Sequence, residues 1–340
     1  MRPGARTDGL RIDGSAAGYS PLMVPRTTDT ELDVAGRRVR LTTLDRVMFP
    51  KPGTTKGEIL EYYIRIGSLM LPHLKDRQLH MHRYPEGVDG PRFWQKACPE
   101  HRPEWVGTVP VWSRDKDAYI EYCVVNELGT LLWAVNLGSV ELHTSLHRSH
   151  DLHRPTAMAF DLDPGPGASI LHCCEVALRL RELFAALGLE AYPKTSGSKG
   201  LQVFLPLNTG VTYDFAKPAA RRIAESLEKQ TPKAVVSRMA RAARQGRVLV
   251  DWSQNTEHKS MVCVYSVRAK ERPTVSTPLS WEEVESAVDD GRPEVLVFET
   301  GDVLERVHER GDLFAAVLSQ RQDLEAQLRN SSALIGGLSS

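Results

Sequence analysis

The strongest hydrophobic pattern in the chain covers residues 168–187, where Leu171, Cys174, Ala177, Leu178, Leu183, Phe184 and Leu187 share one helical face and Gly188 supplies a stop. Just upstream the period changes to two. In Ala159-Phe160-Asp161-Leu162-Asp163-Pro164-Gly165, Phe160 and Leu162 face one side of a strand and both aspartates face the other. The same reading predicts a helix over 128–137 and strands over 139–143, 190–194, 200–206, 247–251 and 261–266. It predicts further helices over 214–230, 233–245, 281–289 and 302–329. Thr55 with Glu58 three residues on is a capping box, which starts a helix running to about His73. Strands interleaved with helices predict a mixed α/β (α+β) body.

At 340 residues, 41% hydrophobic and 25% charged, the chain can bury one large or two modest cores. It holds no run of 18 apolar residues, so no membrane span is expected. Residues 1–30 are rich in Gly, Arg, Pro and Asp without an apolar segment and read as a flexible leader, not a secretory signal. Residues 331–340 read as a disordered tail. The five cysteines form no C-x-x-C pair, and Cys173 and Cys174 read as small apolar residues of a helix, which fits a reduced cytoplasm. With 43 basic and 43 acidic residues the net charge is zero, so contact with nucleic acid would have to use local patches.

Asp161 and Asp163 carry the chemistry. Two anions this close disfavour each other unless a cation lies between them, and an all-oxygen pair suits Mg²⁺ or Mn²⁺. A two-ion site of this kind serves nucleotidyl and phosphoryl transfer and calls for a third carboxylate. Asp251, closing the apolar run Val248-Leu249-Val250, is the candidate. The bland reading is an ordinary strand-to-turn exit. Thirty residues on, Lys194-Thr195-Ser196-Gly197-Ser198-Lys199-Gly200 offers backbone N–H groups, hydroxyls and cations to a triphosphate, although it does not match the P-loop spacing. By itself it is also a plain Gly/Ser loop. His143, His147, His150 and His153 invite a zinc reading, but the intervening Arg148, Ser149 and Arg154 read as a solvated loop, with no cysteine near enough to complete the set.

Two stretches could meet nucleic acid. Arg46, Lys51 and Lys56 surround a Pro-Gly turn at a helix start, where cations and free N–H groups make an anion site. Arg92-Phe93-Trp94-Gln95-Lys96 follows a Gly/Pro-rich loop, and two adjacent aromatics there cannot both bury in one direction, leaving one to stack on a base. Scattered surface cations and a loop anchored by its aromatics are the competing readings.

In combination, FDLDPGPG (160–167), TSGSKGL (195–201), VDWSQN (250–255) and YSVRAKERPTV (265–275) closely resemble, in order and spacing, the polymerase domain of bacterial end-joining DNA ligase D, of the archaeo-eukaryotic primase superfamily. The likeness extends through LDRVMFPKPGTTKGEILEYY (44–63), HRYPEGVDGPRFWQK (82–96) and VELH (140–143), about residues 30–320. It implies a primase-type core of mixed and antiparallel sheets flanked by helices, with a DNA-binding part over 31–135 and the catalytic core over 136–330.

The resemblance implies a primer 3′-hydroxyl attacking the α-phosphorus of a ribo- or deoxyribonucleoside triphosphate, with pyrophosphate leaving. Two Mn²⁺ or Mg²⁺ ions would sit on Asp161, Asp163 and Asp251. His143, Ser196, Lys199, Gln202 and Arg268 would meet the nucleotide; Arg46 and Lys56 the 5′-phosphate across a gap or break; Arg83, Phe93, Trp94 and Lys96 the DNA. The chain departs from relatives at Gln202, where many carry His, at Arg46, where relatives carry Lys, and at His82, where some do. No ligase lysine motif or nuclease domain fits within 340 residues, so a separately encoded ATP-dependent ligase and end-binding repair proteins are the expected partners, in the cytoplasm at the nucleoid. A metal-dependent phosphohydrolase and a non-catalytic DNA-end-binding module are the alternatives.

Overall fold

The computed structural model describes residues 10–12, 29–113 and 115–330. Its first elements are the strands β1 (Leu10–Ile12), β2 (Asp29–Val34) and β3 (Arg37–Thr42), the short pair β4 (Val47–Phe49) and β5 (Thr54–Thr55), and helix α1 (Lys56–Leu74). The predicted capping box is present: Thr55 Oγ1 accepts from Glu58 N–H, and the Glu58 carboxylate accepts from Thr55 N–H at 2.7 Å. Alternation in β2 and β3 sends Leu32, Val34, Val39 and Leu41 inward. There follow β6 (Leu79–Arg83), β7 (Phe93–Gln95), the hairpin β8 (Thr108–Ser113) and β9 (Ala118–Cys123), helix α2 (Leu128–Asn136) and β10 (Ser139–Thr144).

The second half begins with the pair β11 (His147–Arg148) and β12 (Asp151–Pro155), then β13 (Ala157–Pro164), α3 (Ile170–Ala186), β14 (Tyr192–Thr195), β15 (Leu201–Pro206) and α4 (Tyr213–Gln230). It closes with β16 (Val235–Val236), β17 (Val248–Asp251), β18 (Met261–Val262), α5 (Trp281–Asp289), α6 (Thr300–Arg310), α7 (Ala316–Ser319) and α8 (Leu324–Asn330). Two sheets organise these elements: four strands in the order β18-β10-β6-β7, and five in the order β14-β15-β13-β17-β16. The larger sheet is antiparallel except for the β16–β17 pair, in agreement with the mixed and antiparallel architecture expected.

Strand β13 divides two cores. Met158, Phe160 and Leu162 join α3 and α4 in one, while Ala157 and Ala159 face the other, built on α1, α2 and the four-stranded sheet. Asp161 and Asp163 continue the row of Ala157 and Ala159, so they emerge on the side turned toward the first half of the chain.

Several expectations are corrected. Residues 233–245 form no α-helix: Val235 and Val236, both fully buried, complete the five-stranded sheet, and only a 3₁₀ turn at Arg241–Arg244 follows. The helix expected over 302–329 is three, because Gly311 at φ +66° ends α6. The strand expected over 261–266 stops at Val262. Phe93 and Trp94 lie on the edge strand β7 rather than on a loop. Of the expected leader, Leu10–Ile12 pairs in parallel with β2 and Asp29 and Thr30 open that strand; the rest of it, and the tail, lie outside the described residues.

Cys98 and Cys123 are joined by a disulfide, against the expectation that all five cysteines are reduced. Sequence spacing could not reveal it, since the pair is 25 residues apart and Cys98 reaches the end of β9 from outside the hairpin, its N–H donating to Glu121 C=O. A link closing a loop of that length contributes about 3 kcal/mol in the chain-entropy account. Reducing agent is therefore expected to lower the melting temperature of the wild type by several degrees and to leave Cys98→Ser unchanged, as read by differential scanning calorimetry.

Candidate metal and nucleotide site

The pairing register places the acidic trio. Asp161 on β13 is directly opposite Asp251 on the neighbouring antiparallel strand β17, and Asp163 is opposite Leu249. Opposed residues point to the same face with Cα atoms about 4.5–5.5 Å apart, so all three carboxylates share one face. The side chain of Asn255 clamps this strand, donating to Ala159 C=O at 2.7 Å and accepting from Ala159 N–H at 2.9 Å. Asp251 accepts from Ser253 N–H at 2.8 Å, from the Ser253 hydroxyl at 2.6 Å and from the Gln254 amide at 2.9 Å. Asp161 accepts from the Gln202 amide at 3.0 Å.

Among the described residues no three His, Cys, Asp or Glu side chains converge on an ion-sized point. The acidic trio nevertheless has the chemistry of a cation site. Burial and then the negative charges of Asp163 and Asp251 push the Asp161 carboxyl up to about 7, with Gln202 opposing. Burial and Asp251 raise Asp163 as well. Three oxygen-only groups crowded on one face, with the carboxyls of Asp161 and Asp163 raised by burial and by their neighbours' charges, suit a hard divalent ion, and Asp251 Oδ2 keeps a second lone pair beyond its bond to Gln254.

Beside the trio the Ser/Gly turn is folded around Ser196, whose Oγ accepts from the N–H groups of Ser198 and Gly200, both at 3.2 Å. Gly200 is required here, because a Cβ would stand 2.2 Å from the Leu162 carbonyl of β13. Lys199 is exposed at the rim of an open cleft of about 810 Å³ that also borders the Pro164–Ala168 segment and the start of α3. Lys194, counted in the sequence with the same turn, belongs instead to β14 and is fully buried.

Arg268 ties this turn to β10, donating to the Ser196 carbonyl and pairing with Glu141 at 3.2 Å. Glu141 is a hub the sequence reading passed over, although its alternation with His143 in β10 signalled a shared face. It contacts His143 at 3.1 Å and His82 at 3.5 Å and accepts from Ala269 N–H at 3.0 Å. Burial alone would raise the Glu141 carboxyl, but these histidines and Arg268 hold it well below the usual carboxylate range. Burial lowers His143, with Glu141 opposing. Trp94 stacks on His82 with ring centroids 4.5 Å apart and meets His143 edge-on at 4.7 Å, leaving half its surface exposed. His147 bonds Tyr213 and Gln78, and His153 pairs with Glu257, so neither His143 nor these two share a zinc-like centre.

The basic residues form a separate cluster. Lys56 is buried in the first turn of α1 and donates to Thr42 C=O at 2.7 Å. Burial, with Arg46 and Arg83 nearby and Asp29 opposing, draws its ammonium down to about 8. Arg46 donates to Pro85 C=O, while Lys51 is spent on an ion pair with Glu271. Arg83 donates to Gln95 at 2.6 Å and lies over the Phe93 ring, and Lys96 is exposed beside the Trp94–Trp112 groove.

The fold is that of a nucleotidyltransferase of the primase-polymerase type. Residues 55–314 match the family described as LigD, primase-polymerase domain, and the chain belongs to that family. It is 37% identical over 280 residues to the multifunctional non-homologous end joining protein LigD of Mycolicibacterium smegmatis, covering 82% of this chain and 36% of that protein. It is 30% identical over 287 residues to the bifunctional LigD of Bacillus subtilis, covering 84% of this chain and 45% of that protein. The chain thus spans less than half the length of either relative. Its structure is similar to that of the polymerase domain from Mycobacterium tuberculosis ligase D in complex with DNA, with a TM-score of 0.77 and 34% identity over 84% of this chain and 99% of that one.

The charge crowding has a measurable consequence. Asp161 has a folded pKa of about 7 against an ordinary value of 3.8, so its contribution to stability is present below pH 4 and lost as pH rises through about 7. Without divalent ions the melting temperature is expected to fall by roughly a few degrees between pH 5.5 and pH 8. Asp161→Asn should remove much of that fall. An equal fall in the variant would show that the crowding lies elsewhere.

Proposed function

We propose that the chain extends primer 3′ ends on a DNA template at gaps or breaks bearing a 5′-phosphate, using nucleoside triphosphates and two Mn²⁺ or Mg²⁺ ions, as a step of end joining or gap filling. The observation that carries this reading is the trio of carboxylates on one face of β13 and β17, with Asp161 directly opposite Asp251, one strand away from the Ser196 turn. The solved relative bound to DNA supports the choice of substrate. Ions held by Asp161, Asp163 and Asp251 would supply Lewis-acid activation of the hydroxyl and charge neutralisation of the triphosphate. Ser196 and Lys199 present a hydroxyl and a free ammonium to the phosphates, and Arg268, fixed by Glu141, adds its guanidinium from the other side of the turn. His143, held by the Glu141 carboxylate that also pairs with Arg268, would meet the nucleotide, and Trp94, backed by His82, offers a ring to a base. Arg46, Lys56 and Arg83 make the anion pocket for the 5′-phosphate. An ATP-dependent DNA ligase would seal the product together with end-binding repair proteins, in the cytoplasm.

The decisive assay is templated extension of a gapped duplex with labelled ribo- and deoxyribonucleotides under each metal. Asp161→Ala or Asp163→Ala is expected to lower extension by about 10²–10³-fold or more, the equivalent of several kcal/mol of charge stabilisation. Wild-type extension by either variant with Mn²⁺ would remove the assignment. Release of phosphate without template would favour a phosphohydrolase, and DNA binding without incorporation a silent end-binding module.

The anion pocket is tested apart from the chemistry. A charge-assisted contact to phosphate contributes about 1.5–3 kcal/mol, so Lys56→Ala should erase roughly tenfold or more of the preference for gaps carrying a 5′-phosphate over gaps without it. An undiminished preference would place the pocket elsewhere.

A further inference from the structure

Four residues from four adjacent strands line up across the five-stranded sheet. Lys194 on β14 is opposite Gln202 on β15, Gln202 is opposite Asp161 on β13, and Asp161 is opposite Asp251 on β17. The row therefore runs from a cation through an amide to two anions on one face. Lys194 Nζ donates to Gln202 Oε1 at 2.5 Å, and Gln202 Nε2 donates to Asp161 Oδ1 at 3.0 Å.

We propose that Lys194 and Gln202 are a positioning pair for the metal site: the lysine fixes the orientation of the amide, and the amide fixes which oxygen of Asp161 is left to face an ion. This rests on the reading of the acidic trio as metal ligands and deepens it.

The chemistry of the groups admits one orientation of the amide. Turned over, it would set an NH₂ against an ammonium, two donors, and a carbonyl against a carboxylate, two acceptors; both contacts would become repulsive. Lys194 can impose this because it cannot move. It is 1% exposed, and its other two N–H bonds go to Ser276 Oγ at 2.6 Å and Val262 C=O at 3.2 Å. Ser276 is itself committed, donating to Thr195 C=O at 2.8 Å. All three donors of the ammonium are thus used inside the protein, and none is left for a phosphate. Gln202 is also buried, with its carbonyl spent on Lys194 and an amide hydrogen on Asp161. Both residues consequently act on Asp161 from behind rather than on the nucleotide. A neutral imidazole also has one acceptor and one donor nitrogen, so histidine at position 202 satisfies the same two neighbours.

The test is Mn²⁺ binding to nucleotide-free protein, with free Mn²⁺ read by electron paramagnetic resonance, alongside Mn²⁺ and nucleotide titrations of primer extension. Lys194→Met and Gln202→Leu are expected to weaken Mn²⁺ binding by about 10–100-fold, the usual loss when a partner of a metal ligand is removed. Gln202→His should keep most of the affinity. The KM for Mn²⁺ should rise in the same order, while the KM for nucleotide at saturating Mn²⁺ stays unchanged. Wild-type Mn²⁺ affinity in both Lys194→Met and Gln202→Leu, or a loss confined to the nucleotide KM, would overturn the proposal while leaving the acidic trio standing. A wild-type protein that neither binds Mn²⁺ nor extends primers would remove the trio itself and this pair with it. Should Lys194→Met fail to fold by circular dichroism, the contrast between Gln202→Leu and Gln202→His decides alone.

Discussion

Three carboxylates held on one face of a sheet repel one another, and much of the architecture works against that repulsion. Asp161 and Asp251 are opposed across an antiparallel ladder whose other residues, Leu162 and Val250 among them, are buried beneath α3 and α4. A buried sheet cannot splay to relieve the charges without losing apolar contact, at about 25 cal/mol for each Å² exposed. Asn255 adds two hydrogen bonds to the backbone of β13 immediately before the first aspartate. The electrostatic cost is therefore transferred from geometry to protonation, which is why burial and the neighbouring charges hold Asp161 and Asp163 above the usual carboxylate range.

The positive groups are handled in two ways. Arg268 is neutralised in part by Glu141, so its guanidinium is aimed before any anion arrives, and the same carboxylate orients His143 and, through His82, the stack under Trp94. Lys56, Arg46 and Arg83 form a like-charged cluster that Asp29 offsets only in part, and burial with the repulsion of Arg46 lowers the lysine to about 8. An incoming phosphate would reverse that penalty, since it supplies the missing opposite charge. A chain of zero net charge thus concentrates separate positive regions where anions are wanted.

The parts legible in the sequence are those fixed by local rules. Period two placed Asp161 and Asp163 on one face, the end of an apolar run marked Asp251, and the Thr55–Glu58 box marked the start of α1. What escaped depends on contacts distant in sequence. The Ala- and Arg-rich stretch after Val235 and Val236 favours a helix by local propensity, yet the sheet takes this β-branched pair as the edge beside β17. Lys194 and Lys199 flank one Ser/Gly turn and look alike in sequence; only the neighbouring strands decide that the first is buried and the second exposed. Glu141 and the Cys98–Cys123 link were hidden for the same reason.

Gln202 joins these lines of argument. The family pattern expected from the resemblance puts histidine here, and glutamine looks at first like the loss of a titratable nucleotide contact. The register across β14, β15 and β13 gives the side chain two fixed neighbours of opposite charge, and any residue there must accept on one side and donate on the other. Glutamine does so without a proton to gain or lose, whereas histidine does so only while neutral. The requirement that survives the exchange is the pairing of one donor with one acceptor between Lys194 and Asp161. That identifies the row across the sheet, more than any single side chain in it, as what keeps an uncompensated carboxylate in place.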